Sequence, residues 1–166
     1  MLFRSIALAA FLISVPAATA QPRAHRMVPV LAHGRARIFY DSFGPFWTIG
    51  NDVVTLSLGL GPDGTLRMFE LATPTAEAVR LDAGPDTFLT IEDEVQPLGL
   101  KTGFAFIGYD VVERPDGVEL AINFQLRSRG LFATRHYAIY PTAPVVEIWT
   151  SLESSAQESQ IGRAHV

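Results

Sequence analysis

The alternation of apolar and polar residues between positions 118 and 126 is the feature that most constrains the fold of this chain. Every second residue in the run is large and apolar: Val118, Leu120, Ile122, Phe124 and Leu126. The residues between them are mostly polar: Glu119, Ala121, Asn123 and Gln125. Because successive side chains of a β-strand point to opposite faces, this period of two predicts a strand with one face against a core.

Similar runs, rich in β-branched and aromatic residues, recur from residue 37 onward. Ten runs are predicted to be strands: 37–40, 46–49, 53–60, 65–71, 77–81, 87–91, 104–113, 118–127, 131–140 and 145–152. Residues 61–64 and 114–117 predict hairpin turns, in which proline sets one dihedral and glycine accepts a positive φ. Because the run 131–140 divides less cleanly into two faces, we expect it to be covered on both sides. The pattern predicts an all-β fold, an antiparallel sandwich of long strands.

The first 20 residues have the three parts of a secretory signal peptide. A positive charge at Arg4 precedes an apolar run over 6–15, and the small residues Ala18 and Ala20 complete a cleavage motif. The apolar run is about half as long as the roughly 20 residues that a membrane helix needs. We expect cleavage after Ala20 and export to the periplasm or the extracellular space, with a retained signal anchor as the alternative.

The remaining chain divides into three expected segments. Residues 21–36 are rich in basic side chains and are expected to be a flexible lead-in that carries His25 and His33. Residues 37–160 are expected to be the sandwich domain. Residues 161–166 resemble the translation of a sequencing-library adapter, with a genuine polar tail as the alternative. On the adapter interpretation, the sandwich is truncated and incomplete at its carboxyl end.

Charge and cysteine content exclude several functions. Without Arg4 and Arg163, 11 of the 13 basic residues remain against 17 acidic ones, a formal charge of −6. This balance argues against nucleic acid and anionic membrane surfaces as partners. The absence of cysteine excludes disulfides, thiol catalysis and cysteine-based metal sites. We expect no cofactor.

Three residues are candidate carbohydrate contacts: His136, Asn123 and Trp47. His136 lies in the middle of a predicted strand, where it could line a cleft or simply form hydrogen bonds at the sheet surface. Asn123 and Trp47 are residue types that contact sugars through hydrogen bonds and ring stacking. Trp149 lies inside another predicted strand and is expected to pack in the core. No second histidine lies at metal-ligand spacing from His136, so no metal site is expected.

Carboxylates give no assigned catalytic residue. Asp110, Glu113, Glu147 and Glu153 lie in or beside predicted strands, and two of them could in principle flank a glycosidic bond. The sequence does not place any two of them together. The acidic run 92–94 lacks the ligand spacing and glycine of a calcium loop, so a solvated loop is expected there.

Residues 135–153 read RHYAIYPTAPVVEIWTSLE and follow the strand-forming run 118–127. This order of a tyrosine strand, a proline turn and a tryptophan strand resembles the front of α-galactosidase-type glycoside hydrolases of family 36. The resemblance covers residues 103–154. In that family an amino-terminal β-supersandwich, related to the galactose mutarotase fold, precedes a (β/α)8 catalytic barrel.

The resemblance implies that this chain is the amino-terminal sandwich of an exported glycoside hydrolase, with a structural or substrate-mouth role. It also implies a carbohydrate ligand, bound through the parent enzyme, and a downstream catalytic domain as the packing partner. The catalytic carboxylates of the family belong to the barrel, so none of them maps onto this sequence. Two alternatives stay open from the residues: a non-catalytic carbohydrate-binding β-sandwich, and an epimerase-like enzyme that uses the cleft of the sandwich itself.

Overall fold

The computed structural model describes residues 26–74, 76–81 and 84–155. Strands dominate this part of the chain, and the only helical pieces in it are short 3₁₀ turns at Leu100–Thr102 and Arg127–Arg129. The strands are β1 (Met27–His33), β2 (Ala36–Asp41), β3 (Phe46–Gly50), β4 (Thr55–Leu60), β5 (Leu66–Thr73), β6 (Ala76–Arg80), β7 (Phe88–Ile91), β8 (Glu94–Pro97), β9 (Phe104–Arg114), β10 (Gly117–Leu126), β11 (Leu131–Ile139) and β12 (Val146–Ser154). The predicted all-β class is confirmed. A search of the described residues finds no helix with the length and apolar character that a membrane crossing requires.

The strands form two antiparallel meanders and one separate hairpin. A six-stranded sheet has the order β1-β2-β3-β4-β5-β6, and a four-stranded sheet has the order β12-β11-β10-β9. The hairpin β7–β8 lies between the two meanders in sequence. The two larger sheets contribute to one hydrophobic core, which makes the fold a β-sandwich.

An aromatic cluster occupies the interface between the sheets. Trp47 on β3 is fully buried, and its ring centre lies 5.3 Å from that of Tyr109 and 6.0 Å from that of Phe106, both on β9. Tyr40 on β2 stacks on Tyr109 at 5.1 Å. Burying a large apolar side chain contributes on the order of 1.5–3 kcal/mol. This cluster is therefore a principal contact that holds the six-stranded sheet on the four-stranded one.

Each of the ten predicted strands coincides with an observed one to within about two residues at each end. The flexible lead-in predicted for residues 21–36 is wrong over its second half, because Met27–His33 form β1 and pair with β2. Pro29 hides the strand in the sequence, since proline cannot donate to the ladder, and the register shifts between Pro29 and Leu31. Residues 1–20, His25 and residues 161–166 lie outside the described part of the chain.

Both predicted hairpins form, but their glycines act differently. Gly64 has φ +70°, as a turn glycine should. Gly117 is not in the left-handed region; it is required because a Cβ there would lie 2.2 Å from the carbonyl oxygen of Ile139. The loop predicted at 92–94 is observed at Glu92 and Asp93, which have positive φ in the turn between β7 and β8. The prediction is wrong at Glu94, which begins β8, a strand that was not predicted.

Asn51 joins the ends of the two sheets. Its Nδ2 donates to the carbonyls of Tyr140 (2.7 Å) and Ala143 (2.8 Å), in the connection between β11 and β12. Its Oδ1 accepts from the backbone N–H groups of Val53 (2.7 Å) and Val54 (2.9 Å), in the turn between β3 and β4. All four hydrogen-bonding positions of the amide are therefore occupied within the protein.

A buried ion pair fixes the segment that enters the β7–β8 hairpin. Arg135 on β11 points into the sandwich, and its Nε donates to Asp86 Oδ2 at 2.6 Å; the two side chains are 5% and 0% exposed. The Tyr137 hydroxyl donates to the same oxygen at 2.8 Å, and Arg135 Nη1 donates to Thr150 Oγ1 at 3.0 Å. Among the described residues, Asp86 Oδ1 has no hydrogen-bond partner. The pair thus connects three separate segments inside the core.

Replacing Asp86 by alanine should destabilise the fold strongly, because it leaves the Arg135 guanidinium buried without its carboxylate. We expect a loss of about 3–5 kcal/mol in the free energy of unfolding, measured by urea denaturation at pH 7. Asp116→Ala is the matched control, since Asp116 pairs with Arg114 at an exposed site and should cost less than about 1 kcal/mol. Equal losses in the two variants would contradict the role of the buried pair.

The stability of the fold should fall at alkaline pH through Tyr137. Burial disfavours the phenolate, and the Asp86 carboxylate adds to the effect, so the pKa of Tyr137 lies well above its usual value of 10. A raised pKa in the folded state means that the stabilisation is present below about pH 10 and is lost as the pH rises further. Urea midpoints measured from pH 7 to pH 11.5 should decline more steeply for the native chain than for Tyr137→Phe. Parallel curves would contradict this assignment.

Candidate functional site

The outward-facing side chains of the four-stranded sheet form the candidate site. On each strand these residues alternate with the buried set that faces the core. We call this surface the outer polar face, and its members are Gly108, Asp110, Val112, Arg114, Glu119, Ala121, Asn123, Gln125, Phe132, Thr134, His136, Ala138, Glu147, Trp149, Ser151 and Glu153. It combines carboxylates, hydroxyls, an amide and aromatic rings on one rigid sheet.

Three residues from neighbouring strands form a hydrogen-bonded row across this face. His136 Nδ1 lies 2.8 Å from Glu119 Oε1, and His136 Nε2 lies 2.8 Å from Ser151 Oγ. An ionised carboxylate only accepts, so Nδ1 carries the proton that is donated to Glu119. In the neutral imidazole, Nε2 is then the acceptor for the Ser151 hydroxyl. Arg114 Nη1 donates to the second oxygen of Glu119 at 3.0 Å.

Trp149 packs against this row. Its ring is parallel to that of His136, with an interplanar angle of 1° and 4.7 Å between ring centres. The guanidinium carbon of Arg114 lies 5.7 Å from the centre of the Trp149 ring. Trp149 is half-buried, so part of its ring surface stays accessible. The tryptophan both fixes the orientation of the imidazole and presents an aromatic surface to solvent.

The structure reverses the predicted roles of the two tryptophans. Trp47, proposed as a sugar contact, is fully buried between the sheets, so its ring is out of reach of a ligand. Trp149, expected in the core, lies on the outer polar face. The sequence contains the signal for this: the residues that share the parity of Trp149 on its strand are Glu147, Ser151 and Glu153, which are all polar.

Asn123 belongs to a second hydrogen-bonded group on the same face. Its Nδ2 donates to Asp110 Oδ2 at 2.8 Å, and its Oδ1 accepts from Thr134 Oγ1 at 2.9 Å. Gly108 lies opposite Asn123 on β9, has φ +152°, and has open space where a Cβ would stand. Beside Asn123 the surface therefore has open space above Gly108, whereas Ala121 is 7% exposed and covered by its neighbours.

The outer polar face brings two of the three predicted contacts together. His136 and Asn123 lie on adjacent paired strands, two residues apart in the register. Both ring nitrogens of His136 form hydrogen bonds within the protein, so its ring is not free to form hydrogen bonds to a sugar directly. Asn123 keeps one N–H and one lone pair for a ligand after its two internal hydrogen bonds.

The candidate carboxylates do not form a pair suited to glycoside hydrolysis. Glu113 faces away from the outer polar face and lies 3.1 Å from the ring of His33. Asp110 and Glu147 lie on the first and last strands of the sheet, three strand spacings or about 14 Å apart. Retaining enzymes need about 5 Å and inverting enzymes about 6.5–9.5 Å between the two carboxyl groups. Within the described ranges, no group of three histidine, aspartate or glutamate side chains is arranged to hold a metal ion.

A concave surface lies on the outer side of the six-stranded sheet. It is a shallow depression of about 180 Å³, lined in part by Arg37, Phe39, Thr48 and Thr55. At its rim Arg35 forms an ion pair of 3.2 Å with Asp52. The depression gives the fold an alternative location for a small polar ligand.

In comparisons with known proteins, no family model, curated protein or solved structure matches this chain. The functional evidence therefore lies in the residues of the chain itself, and chiefly in the outer polar face.

Proposed function

We propose that this β-sandwich is the amino-terminal module of an exported glycoside hydrolase, and that its outer polar face contacts the carbohydrate substrate. The observation that carries the proposal is that Trp149, Asn123 and Asp110 share one face of the same sheet. A sugar ring presents an apolar C–H surface and a rim of hydroxyl groups. The half-buried indole ring of Trp149 lies at one edge of the outer polar face, and the Asn123 amide and Asp110 carboxylate lie toward the opposite edge, with Asp110 three strand spacings or about 14 Å from Trp149. The ring is complementary to the C–H surface and the polar groups to the hydroxyl rim, at separate positions along the sheet.

The division of labour within the parent enzyme follows from the resemblance of residues 135–153 to family 36 hydrolases. That resemblance implies that the two catalytic carboxylates belong to a barrel beyond this sandwich. The separation of about 14 Å between Asp110 and Glu147 is consistent with a module that positions the substrate. The signal-peptide pattern of the first 20 residues supports export of the protein.

A non-catalytic carbohydrate-binding sandwich is the second candidate. It uses the same outer polar face, and the lack of a suitably spaced carboxylate pair among the described candidates favours it. The two candidates differ in what the full reading frame does. A hydrolase module requires turnover by the whole protein, whereas a binding protein requires affinity alone.

The purified chain should bind α-galactosyl oligosaccharides, with Trp149 as the reporter. In a Trp47→Phe background Trp149 is the only tryptophan, so a change in its fluorescence on titration reports binding at the outer polar face. Asn123→Ala in this background should weaken binding about three- to tenfold, which corresponds to one or two hydrogen bonds of about 0.5–1.5 kcal/mol. Calorimetry should give the same loss.

Arg37→Ala is the matched control, because Arg37 lines the depression on the opposite side of the sandwich. It should leave the affinity unchanged. Loss of binding in Arg37→Ala with none in Asn123→Ala would move the site to the six-stranded sheet. A full-length protein that neither binds nor hydrolyses any glycan would contradict both candidate functions.

A further inference from the structure

The Glu119–His136–Ser151 row has the connectivity of a nucleophile, a base and an orienting carboxylate. Both links measure 2.8 Å, within the range of about 2.6–3.2 Å over which a base activates a hydroxyl. Glu119 engages Nδ1, which leaves Nε2 to accept the Ser151 proton. This is the tautomer that a general base needs at the serine. The row therefore has the distances and the tautomer of a catalytic arrangement, which polar groups that merely share a surface would not have.

The surroundings of the row hold it in place. Its three members come from adjacent strands in a continuous antiparallel ladder, so the backbone fixes their spacing. The Trp149 ring stacks on the imidazole, and Arg114 holds the second oxygen of Glu119. The His136 and Glu119 side chains are 16% and 14% exposed, which limits competing water while leaving access from solvent. These contacts restrict the rotamers on which activation depends.

We propose that Ser151 is an activated nucleophile and that the outer polar face cleaves acyl esters. Ser151 Oγ attacks the ester carbonyl carbon while His136 Nε2 removes the hydroxyl proton, and Glu119 stabilises the imidazolium as a positioning residue. The bond to the alcohol oxygen then breaks, and the alcohol leaves with the proton from His136. Water attacks the acyl-serine by the same route and releases the carboxylic acid. The sum is ester plus water to acid plus alcohol.

The stabilisation of the oxyanion limits this activity to reactive esters. Thr134 lies directly opposite Ser151 in the register, so the two Cβ atoms are about 4.5–5.5 Å apart. The Thr134 hydroxyl donates its proton to Asn123 Oδ1 at 2.9 Å, so it stabilises the oxyanion only after that hydrogen bond breaks. One side-chain hydroxyl stabilises an oxyanion less than paired backbone N–H groups do. Slow hydrolysis of esters is therefore expected, and amides should be stable. The natural substrate class is an acylated sugar, and this part alone rests on the proposed carbohydrate function.

Covalent labelling with a fluorophosphonate probe tests the nucleophile without any sugar. Ser151 Oγ should form a bond to phosphorus and displace fluoride, which intact mass spectrometry detects as one adduct and peptide mapping assigns to Ser151. Ser151→Ala should abolish the adduct, and His136→Gln should slow labelling at least about 100-fold. Glu119→Gln should slow it at least about tenfold. Glu119→Asp should restore part of the rate, which a purely structural role would not do.

Ser57→Ala is the matched control. Ser57 is a half-buried serine on the outward side of the six-stranded sheet, with Thr48 as its hydroxyl neighbour at 3.5 Å, and it should not affect labelling. Urea midpoints confirm that each variant is folded. Absence of an adduct, or labelling that persists in Ser151→Ala, overturns the proposal. Labelling without any sugar binding would rule out only the acylated sugar as the substrate class. Sugar binding without labelling would rule out only Ser151 as a nucleophile.

Discussion

The buried pair of Arg135 and Asp86 is the constraint on which the rest of the structure depends. The other inward-facing residues of β11 belong to the hydrophobic core or pack against it, and Arg135 is buried among them. Moving its charge out of water costs several kcal/mol of folding free energy. Asp86, 49 residues earlier, offsets that cost, so the segment that leads into β7 must lie against the inner face of β11. Thr150 draws β12 into the same network. Breaking the pair would leave a buried charge without compensation.

The same pair determines which side chains reach the outer polar face. A strand has a period of two, so a slip of one residue in β11 would move Arg135 and Tyr137 outward and bury Thr134 and His136. In the slipped register, the Asp86 carboxylate would stay buried in the core without Arg135 and Tyr137 as its hydrogen-bond donors. The buried charge pair therefore selects the register that presents His136 between Glu119 and Ser151. The buried ion pair and the geometry of the candidate site thus both depend on the same register of β11 with its neighbouring strands.

The sequence predicted the features of the fold that depend on a local residue pattern. Alternation and turn residues identified ten strands and the all-β class, because the period of two and the properties of proline and glycine act over a few residues. β1 was missed because Pro29 interrupts the alternation, and β8 was missed because the acidic run 92–94 was interpreted as a solvated loop. The Arg135–Asp86 pair and the row through His136 join residues 15–49 positions apart, and which strands pair is not a local property. Trp149 was a different case, since the parity of its neighbours already pointed outward.

The flatness of the outer polar face decides what kind of ligand it fits. Its side chains come from strands about 4.8 Å apart, so its polar groups are spread over a surface rather than gathered around a cavity. A pocket for a small molecule buries most of its ligand, whereas a flat sheet contacts one side only. An extended glycan, which presents a succession of ring faces and hydroxyls, can use several such contacts at once. On the proposed function, the open space at Gly108 and the aromatic surface of Trp149 would act as separate subsites along one glycan chain, with the Ser151 hydroxyl within reach of its substituents.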